Sequence, residues 1–245
     1  MNNATEHPTT FDERLAQVRR RIDEVCRLSG RSRSEVVLLA VSKTHGVDAV
    51  RAALAAGQHA FGESYLQDAQ AKLTALATAM PRPEWHFIGP LQSNKTRPVA
   101  MQFDWVQSVD RDKIARRLSA QRPTDRPPLN VCLQLNVSDE AGKSGVAPDT
   151  LPALAQLVAT LPGLRLRGVM AIPAQSRDPD RQRRAFAAVR QQYRRLQDLG
   201  FHLDTLSMGM SADLEAAIAE GSTLVRVGTD LFGPRASASR HSKIL

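Results

Sequence analysis

The sequence predicts an α/β fold: a single (β/α)8 barrel of the TIM type with one extra helix at its N-terminus. Short apolar, β-branched runs alternate with longer segments whose apolar residues recur every three or four positions, which is typical of parallel strands alternating with helices. Eight such runs occur within 245 residues, whereas a doubly wound sheet more often has about five to seven strands. We therefore expect one barrel domain over residues 11–235, with flexible ends at residues 1–10 and 236–245.

The extra helix is predicted over residues 11–29. Its apolar residues fall on one stripe, as in a helix that packs on a barrel. They are Leu15, Val18, Ile22, Val25 and Leu28. Gly30 follows directly and ends the helix, because glycine readily adopts the left-handed conformation found after helix C-termini.

The eight strands follow in order, separated by seven helical segments. They are predicted over residues 36–42, 59–63, 84–89, 103–109, 129–137, 164–172, 203–208 and 223–228. The helical segment between the last two strands is predicted over residues 211–220 and starts at Ser211. No repeat or long linker interrupts the series, so a single domain is the simplest interpretation.

Composition excludes several classes of protein. An apolar content of 42% is sufficient for a buried core. No apolar run approaches the roughly 18 residues of a membrane span, and the N-terminus lacks the pattern of a secretion signal. Cys26 and Cys132 form no CxxC motif, which argues against a disulfide framework and favours a cytoplasmic location. The histidines lack the paired spacing of metal ligands.

Lys43 is the first candidate for chemistry. It directly follows the most apolar predicted strand, residues 36–42, and barrels carry their functional groups at the C-terminal ends of strands. Burial at that end disfavours the ammonium form, which leaves a neutral amine able to attack a carbonyl group and form an imine. The alternative is a solvated lysine in a surface loop.

The ends of the seventh and eighth strands resemble an anion-binding site. The segment from Ser207 to Ser211 and the pair Gly228 and Thr229 combine hydroxyl groups, glycines and backbone amides near a helix N-terminus, which together favour phosphate binding. Phosphate sites of barrels are frequently formed by these two loops. The alternative for Ser211 is a simple N-cap of the helix that follows.

Arg226 lies within the eighth predicted strand, two residues before Gly228. Because side chains alternate along a strand, residues 224, 226 and 228 share one face. If that face is the barrel interior, the buried guanidinium needs a partner, and a pyridine nitrogen could be one. Alternation alone also allows the opposite arrangement, in which Val225 and Val227 point inward.

Seven segments of the chain, taken in order, resemble one known family. They are AVSKT (40–44), FGESY (61–65), WHFIGPLQSNK (85–95), KSG (143–145), MAIP (170–173), LSMGMSADLEAAI (206–218) and VRVGTDLFG (225–233). Through these segments the chain is similar to the YggS/PROSC family of pyridoxal phosphate-binding homeostasis proteins. The resemblance covers nearly the whole chain, and the segments within 85–95 and 206–233 are highly specific.

The resemblance implies a barrel like the N-terminal domain of bacterial alanine racemase, with pyridoxal 5′-phosphate held as an imine on Lys43. It also implies that Arg226 meets the pyridine nitrogen. The phosphate site would be supplied by Ser207, Ser211, Gly228 and Thr229. Two positions depart from the family pattern: Ser64 stands where asparagine is usual, and Gly46 stands where proline is common.

The same resemblance leads us to expect a carrier of the cofactor rather than a strong catalyst. An arginine beside the pyridine nitrogen disfavours protonation of the ring and makes it a weak electron sink. A racemase of this type also needs a second base besides Lys43. Alanine racemase takes that base from a further domain, and neither Tyr65 nor Tyr193 is an obvious substitute. We expect a monomer that buffers the cofactor in vitamin B6 homeostasis, with apo-enzymes as recipients.

Two other functions are kept as alternatives. One is a low-activity pyridoxal phosphate-dependent amino-acid racemase. The other is a nucleic-acid binder, since the net charge is 33 − 25 = +8 and arginines are dense within residues 181–199. Aromatic residues make up only 4% of the chain, so a solvated helix face is the preferred interpretation of that segment.

Overall fold

A computed structural model of the protein describes residues 10–137 and 144–233. Its centre is a closed barrel of eight parallel strands in sequence order, with the last strand paired to the first. The strands are β1 Val37–Val41, β2 Ala60–Glu63, β3 Glu84–Phe87, β4 Trp105–Val109, β5 Leu129–Leu135, β6 Leu164–Ala171, β7 Thr205–Met210 and β8 Leu224–Val227. All eight predicted strands are therefore confirmed, and with them the predicted fold class.

Helices form the outer layer of the barrel. They are α1 Phe11–Leu28, α2 Val47–Ala55, α3 Leu66–Ala75, α4 Thr96–Gln102, α5 Asp112–Gln121, α6 Leu151–Ala159, α7 Pro179–Asp198, α8 Leu214–Ala219 and α9 Thr229–Phe232. The helices α2 to α8 each connect one strand to the next parallel strand, as predicted. None of the helices in the described residues is long and apolar enough to cross a membrane.

The extra N-terminal helix, α1, completes this outer layer. The helix that follows β8, α9, has only four residues, so another element must cover the barrel near β8 and β1. The helix α1 packs there, against α2, α8 and α9. Its buried residues are Leu15, Val18, Ile22, Val25 and Cys26. This is the predicted stripe except for Leu28, which is 68% exposed.

The start of α8 differs from the prediction. This helix begins at Leu214 and has Asp213 as its N-cap, so both the predicted start at Ser211 and the alternative of Ser211 as an N-cap are wrong. The Asp213 carboxylate accepts a hydrogen bond from the Met210 N–H at 2.6 Å, which holds residues 211–213 in a turn. The strand β7 correspondingly ends at Met210, two residues later than predicted.

The predicted flexible ends lie almost entirely outside the described residues. Thr10 is the exception: its hydroxyl accepts a hydrogen bond from the Glu13 N–H, and its own N–H donates to the Glu13 carboxylate. This reciprocal pair is a capping box that starts α1. The division into a barrel over residues 11–235 and flexible ends at 1–10 and 236–245 stays a prediction.

The interior of the barrel is more polar than the layer between strands and helices. Apolar side chains fill that outer layer as one continuous core. Inside the barrel, the buried polar residues on the strands include His86, Gln107, Ser207 and Arg226, whereas Ser42 and Glu63 contact Lys72 of the outer helix α3. Buried polar groups require hydrogen-bond partners, and the arrangement of those partners defines the candidate site.

Candidate functional site

Lys43 lies at the C-terminal end of the barrel, two residues after the end of β1. Its side chain is half-buried, in a turn closed by a 3.1 Å hydrogen bond from the His45 N–H to the Ser42 carbonyl. The next residue, Thr44, has a φ of +69°, a left-handed conformation that costs a non-glycine residue about 1 kcal/mol or more. The backbone around Lys43 is therefore held in one defined turn, unlike a loosely solvated loop.

Three buried polar residues contact one another at Ser42, the residue before Lys43. We call Ser42, Glu63 and Lys72 the Lys72 cluster. Lys72, on α3, donates hydrogen bonds to the Ser42 carbonyl and to the Glu63 carboxylate, both at 2.7 Å. The Ser42 hydroxyl donates to the same Glu63 oxygen at 2.5 Å. Burial raises the pKa of Glu63, and the hydrogen bonds from Lys72 and Ser42 oppose that rise. The cluster ties the end of β1 to β2 and to the outer helix α3.

Arg226 points into the barrel, which decides between the two arrangements that alternation allows. It is 4% exposed, and on β8 it lies beside Leu39 of β1. Its guanidinium donates to the Ser207 hydroxyl at 2.7 Å and to the carbonyl of Ala171 on β6 at 2.9 Å. Burial lowers the pKa of Arg226 to about 10, so the group keeps its positive charge at neutral pH.

A continuous chain of hydrogen bonds leads away from this guanidinium; we call Arg226, Ser207, Gln107, His86 and Glu84 the Arg226 chain. The Ser207 hydroxyl lies 2.7 Å from the Gln107 side-chain oxygen, and the Gln107 nitrogen lies 2.9 Å from His86 Nδ1. His86 Nε2 lies 2.8 Å from the Glu84 carboxylate, which is half-exposed. The hydrogen bond from His86 lowers the pKa of Glu84. The chain runs across β8, β7, β4 and β3.

The loop after β8 lies close to the end of β1. A Cβ at Gly228 would lie 3.3 Å from the carbonyl oxygen of Val41, so glycine here permits the close approach. Thr229 is exposed and begins α9, where the first backbone N–H groups have no acceptor within the helix. Ser211 is half-buried in the turn before α8. The structure thus brings Gly228 and Thr229 next to the segment that carries Lys43.

Arg21, on α1, contacts both loops that are predicted to bind phosphate, the one after β7 and the one after β8. Its guanidinium donates to the Ser211 carbonyl at 2.8 Å, to the Glu215 carboxylate at 2.7 Å and to the Asp230 carboxylate at 2.5 Å. These contacts link the turn after β7, the helix α8 and the helix α9. The extra N-terminal helix therefore supports the candidate site as well as covering the barrel.

Ser207 differs from the other residues predicted to bind phosphate. Its hydroxyl is fully buried and contacts both Arg226 and Gln107. Ser211 and Thr229, in contrast, are half-buried and exposed. The structure therefore places Ser207 with the guanidinium, and its contribution to a phosphate site stays a prediction.

The two departures from the family pattern lie at the C-terminal ends of β1 and β2. Gly46 is the N-cap of α2. Ser64 follows β2, and a Cβ at Gly89 would lie 2.1 Å from its carbonyl oxygen, so glycine is required where the loops after β2 and β3 meet. Lys143, in the KSG segment, lies outside the described residues.

Of the remaining sequence candidates, the basic segment and Tyr193 lie on the outer helix α7, whereas Tyr65 lies just after β2, at the same end of the barrel as Lys43. Two arginines of the basic segment, Arg183 and Arg190 on α7, pair with Glu220 at 2.8 and 3.0 Å. Tyr193, on the same helix, donates its hydroxyl to the Leu203 carbonyl at 2.9 Å, and burial raises the pKa of this tyrosine to about 12. Tyr65 is exposed at the N-cap of α3. Tyr193 is therefore a packing residue of the outer layer.

The chemistry of this arrangement suits a phosphorylated aromatic aldehyde. Lys43 supplies an amine that can attack an aldehyde. Arg226 supplies a buried positive charge that can donate a hydrogen bond to a ring nitrogen or an anion. Thr229 begins a helix whose free amides can meet a phosphate. Within the described residues, no group of three or more His, Cys, Asp or Glu side chains could hold a metal ion.

Comparison with known sequences finds relatives along almost the whole chain. The family described as "Alanine racemase, N-terminal domain" matches residues 14–236. The chain is 59% identical over 227 residues to the "Pyridoxal phosphate homeostasis protein" of Pseudomonas aeruginosa, covering 93% of this chain and 96% of that protein. It is 50% identical over 229 residues to the protein of the same name from Escherichia coli K12, covering 90% of this chain and 95% of that protein.

Comparison with solved structures identifies the same family of proteins and the same fold. PipY of Synechococcus elongatus, solved with PLP bound, superposes with a TM-score of 0.81 at 37% identity, covering 91% of this chain and 100% of that chain. Alanine racemase from Corynebacterium glutamicum superposes with a TM-score of 0.66 at 16% identity, covering 93% of this chain and 64% of that chain. The second comparison shows a shared fold.

Proposed function

Because this chain belongs to the alanine racemase N-terminal domain family and, within it, to the pyridoxal phosphate homeostasis proteins, we propose that it binds pyridoxal 5′-phosphate through Lys43 and Arg226 and serves vitamin B6 homeostasis. PipY, which is 37% identical, has been solved with PLP bound. One observation carries the residue assignment: a half-buried lysine follows β1 by two residues, and a buried arginine lies within β8, the strand paired with β1.

Lys43 supplies the covalent attachment. Its Nζ would hold the cofactor through a bond to the aldehyde carbon, with the carbonyl oxygen lost as water. The reaction needs a neutral amine. The turn that holds Thr44 in the left-handed region fixes the backbone from which the amine extends.

Arg226 meets the ring nitrogen of the cofactor. The guanidinium is charged at neutral pH, and a second positive charge on the ring beside it is unfavourable, so the ring stays unprotonated. When bound, the cofactor offers an electron sink for carbanions, and an unprotonated ring is a weak one. The site consequently favours holding and releasing the cofactor over catalysis on amino acids.

The phosphate of the cofactor is bound by the loops after β7 and β8. We assign to it Ser211, Gly228 and Thr229: Gly228 lies close to the end of β1, and Ser211 lies in the turn that Arg21 links to α9. Ser207 belongs to the predicted set, and we assign its hydroxyl to Arg226, which it contacts at 2.7 Å. Arg21 contacts Ser211 and α9 and so keeps these loops together.

The partners and the location follow from this role. A protein that holds the cofactor reversibly can supply apo-enzymes, so we propose apo-enzymes as recipients and a monomer as the working form. Cys26 and Cys132 are both buried free thiols, which is consistent with a reducing, cytoplasmic location.

The two alternative functions receive less support. A racemase needs a second base, and Tyr193 is bonded to the Leu203 carbonyl in the outer layer. A nucleic-acid binder needs free cationic side chains, and two arginines of α7, Arg183 and Arg190, pair with Glu220.

An absorption titration with pyridoxal 5′-phosphate tests the proposal. The variant is Lys43→Ala, and the matched control is Lys95→Ala, an exposed lysine that follows β3 at the same end of the barrel. Wild type and Lys95→Ala should develop the visible absorption of the covalent link, and borohydride should abolish it. Lys43→Ala should lack this band but keep the circular dichroism of a folded barrel, because Lys43 fills no part of the core. A band that persists in Lys43→Ala would contradict the proposal.

A further inference from the structure

The Arg226 chain has one consistent direction of hydrogen-bond donation. A guanidinium only donates and a carboxylate only accepts, so Arg226 and Glu84 fix the two ends. Each member between them accepts one hydrogen bond and donates the next: Ser207 to Gln107, Gln107 to His86 Nδ1, and His86 Nε2 to Glu84. In this arrangement His86 is neutral and carries its proton on Nε2.

The opposite orientation of the Gln107 amide leaves a buried group unsatisfied. Its NH2 group would then face the Ser207 hydroxyl, which would accept from both Gln107 and Arg226. The Ser207 proton would have no acceptor within the chain, and a buried donor without a partner is unfavourable. Only one orientation of the Gln107 amide therefore gives every polar group of the Arg226 chain a hydrogen-bond partner. This orientation determines the direction of the Ser207 lone pairs.

The His86 ring is itself fixed by packing. It stacks on Trp105, with ring centroids 5.0 Å apart and an interplanar angle of 9°. The Arg167 guanidinium lies 4.6 Å from the centre of the Trp105 ring, on which it packs. His86 Nδ1 is thus held toward Gln107. The orientation of Arg226 depends, through three hydrogen bonds, on a ring anchored in β3.

We propose that His86 and Gln107 are positioning residues, which act through Ser207 to aim Arg226 at the ring nitrogen of the bound cofactor. The inference rests on the proposed function, in which Arg226 meets that nitrogen. Ser207, Gln107 and the selected form of His86 are neutral, so the chain orients the guanidinium without neutralising it. The positive charge remains available to the ring.

The first test uses the protein without cofactor. Gln107→Met keeps the side-chain volume and removes both hydrogen bonds of Gln107. Its control is Ser108→Ala, the next residue of β4, whose buried hydroxyl has no hydrogen-bond partner among the described residues. NMR of the Arg226 side-chain N–H groups should show shifted signals and faster exchange with water in Gln107→Met and unchanged signals in Ser108→Ala. Unchanged Arg226 signals in Gln107→Met would overturn the inference whether or not the cofactor binds.

The second test compares two ligands: pyridoxal 5′-phosphate and its carbocyclic analogue, in which C–H replaces the ring nitrogen. Gln107→Met should weaken binding of the first by about two- to tenfold, the range expected for a neutral hydrogen bond, and leave binding of the analogue unchanged. Equal weakening of both ligands would indicate a merely structural role and overturn the inference. If wild type binds neither ligand, the proposed function fails while the NMR test still decides on the chain.

A second variant guards against a folding defect in Gln107→Met. His86→Phe keeps a ring stacked on Trp105 and removes the Nδ1 acceptor. Because the two residues act in series, the double variant should lose no more affinity for pyridoxal 5′-phosphate than the more affected single variant. If the losses in affinity of the two single variants add up in the double variant, the two residues act independently, which would contradict their action in series.

Discussion

The Lys72 cluster and the Arg226 chain each contain a buried positive charge, but its hydrogen-bond partners differ: a carboxylate in the first and neutral groups in the second. In the Lys72 cluster, Lys72 meets Glu63 directly at 2.7 Å, and the side chains are 3% and 0% exposed. In the Arg226 chain, the described contacts of the guanidinium are to a hydroxyl and a carbonyl. The first arrangement neutralises its charge and fixes the backbone before Lys43. The second holds its charged group through neutral hydrogen-bond partners, and the nearby Asp213 carboxylate acts on it by electrostatic attraction without a described hydrogen bond.

Removal of Lys72 should give the largest effect, because it leaves a buried carboxylate without its cation. We expect Lys72→Met to lower the free energy of unfolding by about 3–5 kcal/mol, the usual result of breaking a buried ion pair. Urea denaturation measures this loss. The double variant Lys72→Met with Glu63→Leu should recover much of it, because it removes both charges. A loss near zero in the single variant would show that the pair does not support the strand end.

The pH dependence of that loss has a defined sign. Burial raises the pKa of Glu63, and without Lys72 this tendency is no longer opposed by the Lys72 hydrogen bond. A carboxyl whose pKa is raised in the folded state favours folding when protonated, and this contribution is lost as the pH rises through the folded-state pKa. The stability deficit of Lys72→Met should therefore be smaller at mildly acidic pH than at neutral pH. A deficit independent of pH would contradict this assignment.

Removal of Arg226 should affect binding more than folding, in contrast to Lys72. Arg226→Gln leaves behind a hydroxyl and a carbonyl, and the Asp213 carboxylate, which also attracts Arg226, keeps its hydrogen bond from the Met210 N–H. We expect about 1.5–3 kcal/mol less binding energy for pyridoxal 5′-phosphate, roughly ten- to a hundredfold in affinity, for the loss of one charge-assisted hydrogen bond. Titration with the cofactor and urea denaturation of the same variant separate the two quantities. Wild-type affinity with an identical absorption spectrum would remove Arg226 from the site.

Tyr193 provides a reference outside both groups and should show the smallest effect. Tyr193→Phe should cost about 1 kcal/mol of stability, because the Leu203 carbonyl keeps a second donor, the Gln197 side chain at 3.3 Å.

In a Tyr65→Phe background Tyr193 is the single remaining tyrosine, so its ionisation can be followed by ultraviolet absorption. Its pKa of about 12 lies above the unfolded value of about 10. The stability contribution of Tyr193 is thus present below about pH 10 and lost as the pH rises toward 12. Titration near the unfolded value would place Tyr193 in water.

The barrel itself could be predicted from the sequence because its signals are local. Eight short apolar runs separated by helical periodicity define the strands without reference to their partners. The sequence predicts the wrong start for α8 because Ser211 has the chemistry of an N-cap, whereas the contact that decides the turn is the hydrogen bond from the Met210 N–H to the Asp213 carboxylate. That contact depends on the backbone geometry at the end of β7, which residue type alone does not reveal.

The site could be predicted only in part, because its supporting contacts are distant in sequence. Lys43 and the residues of the last two loops stand at strand ends, where a barrel places function. Ser207 and Gln107 are 100 residues apart, and Arg21 and Asp230 are 209 apart, so no local pattern connects them. The inward direction of Arg226 likewise requires closure of β8 onto β1.

Peptide mapping after borohydride reduction tests the central claim most directly. The holo-protein, reduced and digested, should carry a single pyridoxyl adduct, on Lys43 within the peptide that follows β1. The same adduct should be absent when Lys43→Ala is treated in parallel. An adduct on Lys95, on Lys143 or on any other lysine in place of Lys43 would contradict the assignment of this residue as the point of cofactor attachment.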